Sequence, residues 1–252
     1  AALAQIRAEE IHACIEDCHA KGTAPTPSVP VGPVDQFPVL AELVNRRGTS
    51  LRSTVLINMD EYLTDEDEWI PVEHPLSFRG CMQRTFYDLL QPELAPPPEH
   101  RVFPDPRDPE AIGRLIAARG GVSACFGGIG INGHMAFNEP PEPGESVDLE
   151  TFADLPTRVL ALARETRTIN ANTVGGSLDV IPKRCVTVGM REILESRKLR
   201  FYCNRPWQSA VIRRVLHGPI DPASPASLLR RHADAVVTVT QQVADPPRIA
   251  LR

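Results

Sequence analysis

An α/β fold, built on a doubly wound, mostly parallel sheet with helices on both faces, is what these 252 residues predict. Three observations lead there. Short apolar runs alternate with helical patterns along most of the chain, and that alternation gives parallel β-α-β units. Apolar content is ordinary at 42%, and a chain of this length buries an ample core. A glycine-rich turn, Gly127 to Pro140, reading GGIGINGHMAFNEP, directly follows the apolar run Val122 to Phe126. Open α/β sheets bind ligands at that kind of strand end. Residues 1–252 read as one domain without internal repeats.

The elements follow in order. Leu3 to His19 is a helix, because Ile11, Cys14, Ile15 and Cys18 fall on one face. Gly22 to Pro38 is proline-rich and reads as loop or poor strand. Val39 to Asn45 is a short helix and Thr54 to Met59 a strand, followed by an acidic loop, Asp60 to Glu73. Phe78, Met82, Thr85, Phe86 and Leu89 mark a helix, and Glu93 to Glu99 is a connector. Pro109 to Arg119 is a helix and Val122 to Phe126 a strand. Arg158 to Leu162 is a strand with a helix near Glu165 to Thr173 after it. Cys185 to Val188 is a strand leading to a short helix ending at Glu195. Leu199 to Cys203, Trp207 to His217 and Ala235 to Val239 complete the alternation as strand, helix and strand.

Charge and composition exclude several classes. Lys and Arg total 27 against 32 Asp and Glu, a net charge of −5 without a basic stripe, so no nucleic-acid partner is expected. No stretch approaches a membrane span. The opening AALAQIRAEE lacks a basic region followed by an apolar one, so no signal peptide is expected. The six cysteines form no C-x-x-C pair. They fit a reduced, cytoplasmic protein better than a zinc knuckle. The acidic run Asp65 to Glu68 reads as a solvated lid over the crevice, since spacing alone does not make oxygens converge on a cation. No metal and no cofactor is expected.

Two reactive blocks follow strands. Asp60 ends Thr54 to Met59, and Asn132, His134, Asn138 and Glu139 follow Val122 to Phe126. Parallel strands bring their C-terminal ends to one edge, so distant blocks converge there. His134 is the natural proton carrier near neutral pH, and Glu139 is close enough in sequence to share its pocket. A strand-end carboxylate such as Asp60 can also cap the next turn.

These blocks carry a resemblance. GIGINGHMAFNEP resembles the GxGxDGHxAFNEP signature of glucosamine-6-phosphate deaminases. Asn58 to Tyr62 (NMDEY) resembles that family's aspartate-bearing strand end. Thr166-Arg167 with Asn170, Ile181-Pro182 with Thr187-Val188-Gly189, and Pro225-Ala226-Ser227 with Leu228 and His232 match further blocks in the same order. The resemblance implies a Rossmann-like architecture shared with 6-phosphogluconolactonases. It implies an aldose–ketose isomerase that releases ammonia from a small-molecule amino-sugar phosphate. In that reaction His134 opens the ring, Asp60 moves a proton between neighbouring carbons, and Asn132 and Glu139 orient His134. It further implies that Glu61 lines the pocket or anchors its loop, and that Gly128, Gly133, Arg167 and Gln208 bind substrate with it. A homo-oligomer is compatible with the family, whose members range from monomers to hexamers.

Three departures stand out. Asn132 replaces the usual aspartate, as in galactosamine-6-phosphate isomerase-like members. The loop Gly32 to Gln36 reads GPVDQ where the family has a phosphate turn. Pro33 there lacks a backbone donor, and Asp35 places negative charge where phosphate should dock. Gln208 stands where the family has a phosphate-binding lysine, while Arg167 is retained and Arg205 lies nearby. A lactone hydrolase of the 6-phosphogluconolactonase type and a non-catalytic sugar sensor are the alternative readings.

Overall fold

The computed structural model describes residues 2–32 and 34–247. Its larger sheet has six strands: β1 (Pro27–Val29), β2 (Leu56–Asn58), β4 (Arg101–Val102), β5 (Ala124–Gly127), β8 (Leu199–Cys203) and β9 (Ala235–Val239). They run in the order β4-β2-β1-β5-β8-β9, and every neighbouring pair is parallel. The order turns around between β1 and β5, the place where such sheets open a crevice.

Side chains alternate across this sheet and feed two cores. Leu56, Ala124, Phe126 and Tyr202 face one way, against α1 (Ala2–Ala20), α2 (Gln36–Arg47) and α3 (Phe78–Thr85). Ile57, Cys125, Phe201 and Cys203 face the other way, against α4 (Ala111–Ala118), α7 (Met190–Leu194), α8 (Gln208–His217) and α9 (Gln241–Ala244). Each large apolar side chain fully buried this way contributes roughly 1.5–3 kcal/mol. The expected α/β class, with a mostly parallel sheet and helices on both faces, is the architecture found.

The strand and helix assignments need three corrections. Proline did not keep Pro27–Val29 out of the sheet; it is the buried strand β1, paired on both sides. The acidic loop expected from Asp60 begins instead as strand β3 (Asp60–Leu63). Strands β6 (Arg158–Ala161) and β7 (Arg184–Thr187) are not parallel units; with β3 they form a separate antiparallel sheet, ordered β3-β7-β6. Two short helices, α5 (Leu149–Ala153) and α6 (Arg164–Ala171), lie between β5 and β7, and a 3₁₀ segment, Pro225–Arg231, precedes β9. The acidic turn is tied down, because Arg184 pairs with Asp67 and the Trp69 indole N–H donates to the Pro104 carbonyl at 2.9 Å.

The second sheet is joined to the first by almost no chain. Only Met59 separates β2 from β3. Its N–H donates to Val29 O at 3.0 Å in the parallel sheet, and its carbonyl accepts from Val188 N at 2.8 Å beyond β7. Asp60 is thus the first residue past a seam between two sheets.

Glu61, expected to line the pocket or anchor its loop, is committed to anchoring. Its carboxylate is fully buried and accepts five hydrogen bonds: from Tyr62 N (2.8 Å), Phe78 N (3.0 Å), Arg79 N (2.9 Å), Ser77 Oγ (3.0 Å) and Arg79 Nε (3.1 Å). It caps α3, whose first turn carries orphan N–H groups. Glu61→Ala leaves these donors and the Arg79 charge without a partner. Urea unfolding of Glu61→Ala should show a loss of about 3–5 kcal/mol, and Glu61→Gln a smaller one.

Candidate active site

Four short segments meet at the seam. Asp60 of β3 lies opposite Thr187 of β7, which lies opposite Arg158 of β6. The Thr187 hydroxyl donates to Asp60 Oδ1 and accepts from Phe137 N at 3.0 Å. One hydroxyl therefore ties Asp60 to the loop after β5. Asn138 fixes the same loop from below. Its Nδ2 donates to Met135 O (3.0 Å) and Val188 O (2.9 Å), while Arg158 Nη1 donates to its Oδ1 at 2.7 Å.

The loop owes its shape to glycine at two places. Gly133 has φ +94, and a Cβ there would meet Ser224 Oγ at 3.0 Å. A Cβ on Gly130 would fall 2.1 Å from His134 Cε1 and Nε2. The imidazole therefore lies against bare backbone. Ala136 holds φ +52, a left-handed conformation uncommon outside glycine and typical of functional loops.

His134 is 9% exposed. Three oxygens surround its Nδ1: Asn132 Oδ1 at 2.9 Å, Glu139 Oε2 at 3.2 Å and Thr166 Oγ1 at 3.2 Å. The first two only accept, so Nδ1 carries the hydrogen and Nε2 is left as the reactive nitrogen. Asn132 Nδ2 in turn donates to Glu139 Oε2 at 2.7 Å. An ionised aspartate at position 132 could not donate that bond. Asparagine supplies no charge, and Glu139 supplies it directly.

The two carboxylates differ. Burial pushes the Asp60 carboxyl up to about 7; the hydrogen bond from Thr187 and the nearby His134 charge offset only part of that. The whole residue is 5% exposed. Burial also raises Glu139, but the hydrogen bond and charge of His134, with bonds from Asn132 and Thr166, outweigh it and hold Glu139 below its ordinary value.

Other expected contacts lie elsewhere. Gln208 is spent on backbone: its Nε2 donates to Ile129 O at 2.8 Å and its Oε1 accepts from Arg205 N at 2.8 Å. It staples the glycine loop to the start of α8 and offers nothing in place of a lysine. Gly133 likewise uses both polar backbone groups internally, donating to Gly130 O at 3.0 Å and accepting from Ala226 N at 2.8 Å. Both residues, expected at the substrate, have these polar groups engaged within the protein. Gly128 is half-buried, with Tyr202 O 3.7 Å from its would-be Cβ. Arg167 is half-buried on α6; Nη2 donates to Leu178 O at 3.2 Å, and Nε has no partner among the described residues. Pro33, counted against phosphate binding, lies outside the described residues.

Thr187, Thr166 and Gly130 carry much of this geometry and were given no role from sequence. The signal was present, since Thr166 and Thr187 stand inside the matching blocks. Only the fold reveals what their hydroxyls touch.

Comparison with known proteins fits this arrangement. No family model matches the chain. Over 216 residues it is 30% identical to the glucosamine-6-phosphate deaminase of Pseudarthrobacter chlorophenolicus, covering 85% of this chain and 78% of that one. A solved monomeric glucosamine-6-phosphate deaminase matches with a TM-score of 0.79 at 27% identity, over 96% of this chain and 94% of that one. The 6-phosphogluconolactonase of Trypanosoma brucei shares the fold alone, at a TM-score of 0.68 and 16% identity over 96% and 93% of the two chains. Motif order, sheet topology and similarity along most of both chains agree: the chain belongs to the glucosamine-6-phosphate deaminase family.

Proposed function

We propose that residues 1–252 form one amino-sugar phosphate isomerase/deaminase domain, acting on glucosamine-6-phosphate or galactosamine-6-phosphate in the cytoplasm. One observation carries the reading. A buried carboxylate with a raised pKa is bonded through Thr187 to the loop that holds an oriented imidazole.

The chemistry divides between the two groups. The Nε2 of His134 exchanges a proton with the ring oxygen, and the amino sugar opens to its aldehyde. Asp60, ionised, takes the proton from C2 and returns it at C1. That leaves an imine at C2, which water hydrolyses to the ketose phosphate and ammonia. A base with a pKa near working pH suits proton transfer at carbon, because it is ionised yet still basic. Glu139 stays ionised and stabilises the imidazolium while its proton is in transit, as the carboxylate of a His–acid pair does. No metal or cofactor is needed for these steps. The lactone-hydrolase reading shares the fold but has no carbon acid to deprotonate, so it leaves the tuned Asp60 without a task. No helix among the described residues is long and apolar enough to cross a membrane.

Three outcomes are expected. Wild-type protein releases ammonia from one of the two hexosamine phosphates, and Asp60→Asn lowers kcat by at least 10². An ammonia-coupled assay measures this, and equal rates in the two proteins would reject the reading.

The rate should also depend on pH in a set direction. Asp60 must be ionised, so kcat/KM rises with pH and levels off above about 7. Thr187→Val removes the bond that favours the ionised form, so the rising limb moves to higher pH. A limb left in place would disconnect Thr187 from the base.

Gly130→Ala should lower kcat by about 10², because the new methyl displaces the imidazole and small misplacements of catalytic groups are costly. Far-UV circular dichroism of the variant should match wild type.

A further inference from the structure

We propose that Arg7 receives the acid end of the substrate, and that Asp35 holds its place until substrate arrives. This rests on the amino-sugar phosphate reading above and assigns a binding residue that the motifs do not contain.

The position is the first argument. Crevices form where the strand order turns around, here between the C-terminal ends of β1 and β5. At those ends Arg7 and Gln36 meet Ile11, Pro30, Phe126, Gly127 and Tyr202 around a small, partly open and mostly apolar cavity. Arg7 reaches it from α1. Gly127 ends β5 and opens the loop that carries His134, so the cavity and the imidazole share one loop.

The second argument is unfinished bonding. Arg7 is only 4% exposed. Of its donors, Nη1 alone is engaged, at 3.4 Å from Asp35 Oδ1 and 3.4 Å from Gln36 Oε1. Both contacts are at the long limit of a hydrogen bond. Its Nε and Nη2 are buried without a partner among the described residues. The guanidinium lies 5.2 Å from the Tyr202 ring centroid, which lends it attraction but no acceptor. A guanidinium presents a planar fork that phosphate oxygens fill two at a time. Leaving part of that fork unfilled in the interior is costly, and an incoming oxyanion removes the cost.

The third argument is the looseness of Asp35. Its side chain is 47% exposed, and it makes no capping bond to α2, whose N-terminus it precedes. A half-exposed carboxylate on one long contact can turn away into water. The cavity measures about 10 Å³, space for one water, so an oxyanion would take the volume that Asp35 vacates. It would then face the N-terminus of α2, where the helix dipole favours anions; the N–H there is that of Gln36, since Phe37 N donates to Val34 O and Pro38 has none. The Arg7–Asp35 pair is not required to hold α1 on α2, because Ile11, Ile15, Phe37 and Leu40 already pack there. The ligand class is a phosphate monoester, and the free ion and the sugar phosphate share its chemistry.

The test uses inorganic phosphate as the probe in calorimetry at low salt, and then glucosamine-6-phosphate in steady-state kinetics. Arg7→Met should weaken phosphate binding at least tenfold and raise KM at least tenfold, with a smaller change in kcat. Asp35→Asn keeps the shape and removes the competing charge. It should tighten phosphate at least threefold and lower KM by a similar factor. Binding of unphosphorylated glucosamine should move in neither variant. Wild-type phosphate affinity in Arg7→Met, or no gain in Asp35→Asn, overturns the proposal. Should Arg7→Met not fold, Asp35→Asn alone decides. If neither hexosamine phosphate is turned over while phosphate affinity follows the variants as stated, the reaction assignment fails and the anion site stands.

Discussion

The site depends on keeping an ionisable carboxylate at the join of two sheets. Met59 alone separates β2 from β3, and its two backbone bonds go to different sheets. Asp60 therefore cannot retreat to solvent without breaking the join. Burial raises its pKa, and the folded state holds the acid proton more tightly than an unfolded chain does. The resulting cost to stability is absent in acid, grows above the ordinary carboxylate pKa near 4, and is fully present above about 7. The ionised form proposed as the base is thus the form that weakens the fold. Thr187 limits the cost by donating to the carboxylate, and its bond from Phe137 N fixes the hydroxyl. Stability elsewhere, in the two apolar cores and the Glu61 cap, offsets what remains.

The imidazole is held by a different means. A bare backbone at Gly130 admits the ring, and three oxygens around Nδ1 set its tautomer. Asn132 fits this scheme as a bridge between His134 and Glu139. The swap from aspartate looks damaging when charge is counted residue by residue. In the structure the charge sits on Glu139 and the amide links it to the imidazole. Orientation and charge, which one carboxylate could supply together, come here from two residues.

Much of the fold was legible because its signals are local. Helical spacing in α1 and the apolar runs of β5 and β8 arise from burial on known faces. What escaped was set by distant partners. Asp60–Leu63 reads as acidic loop, yet β7 pairs with it and overrides its poor propensity. Pro27–Val29 is a strand because β2 and β5 flank it. Arg101–Val102 is too short to show any period. At the site, Asp60, His134, Asn132 and Glu139 could be named from sequence because their types fit the chemistry. Glu61, Gly133 and Gln208 were assigned to substrate by motif, but their hydrogen bonds go to the protein itself. Sequence reveals which groups are available and conceals which are already engaged.

The same asymmetry governs the anion corner. Read as a string, the loop at positions 32–36 repels phosphate, because Asp35 is negative and the family's lysine is Gln208. Nothing in that string mentions Arg7, which lies a helix away. Packing α1 against the start of α2 brings a buried cation to the loop and sets the aspartate against it. An acidic residue beside a phosphate site then changes meaning. Alone it would exclude the ligand. Paired with a guanidinium that keeps two donors open, it neutralises the cation while the site is empty and can leave for water when a stronger oxyanion arrives. The balance between those states is set by how strongly each anion fills the fork, and a phosphate monoester carries more charge and more acceptor oxygens than one carboxylate.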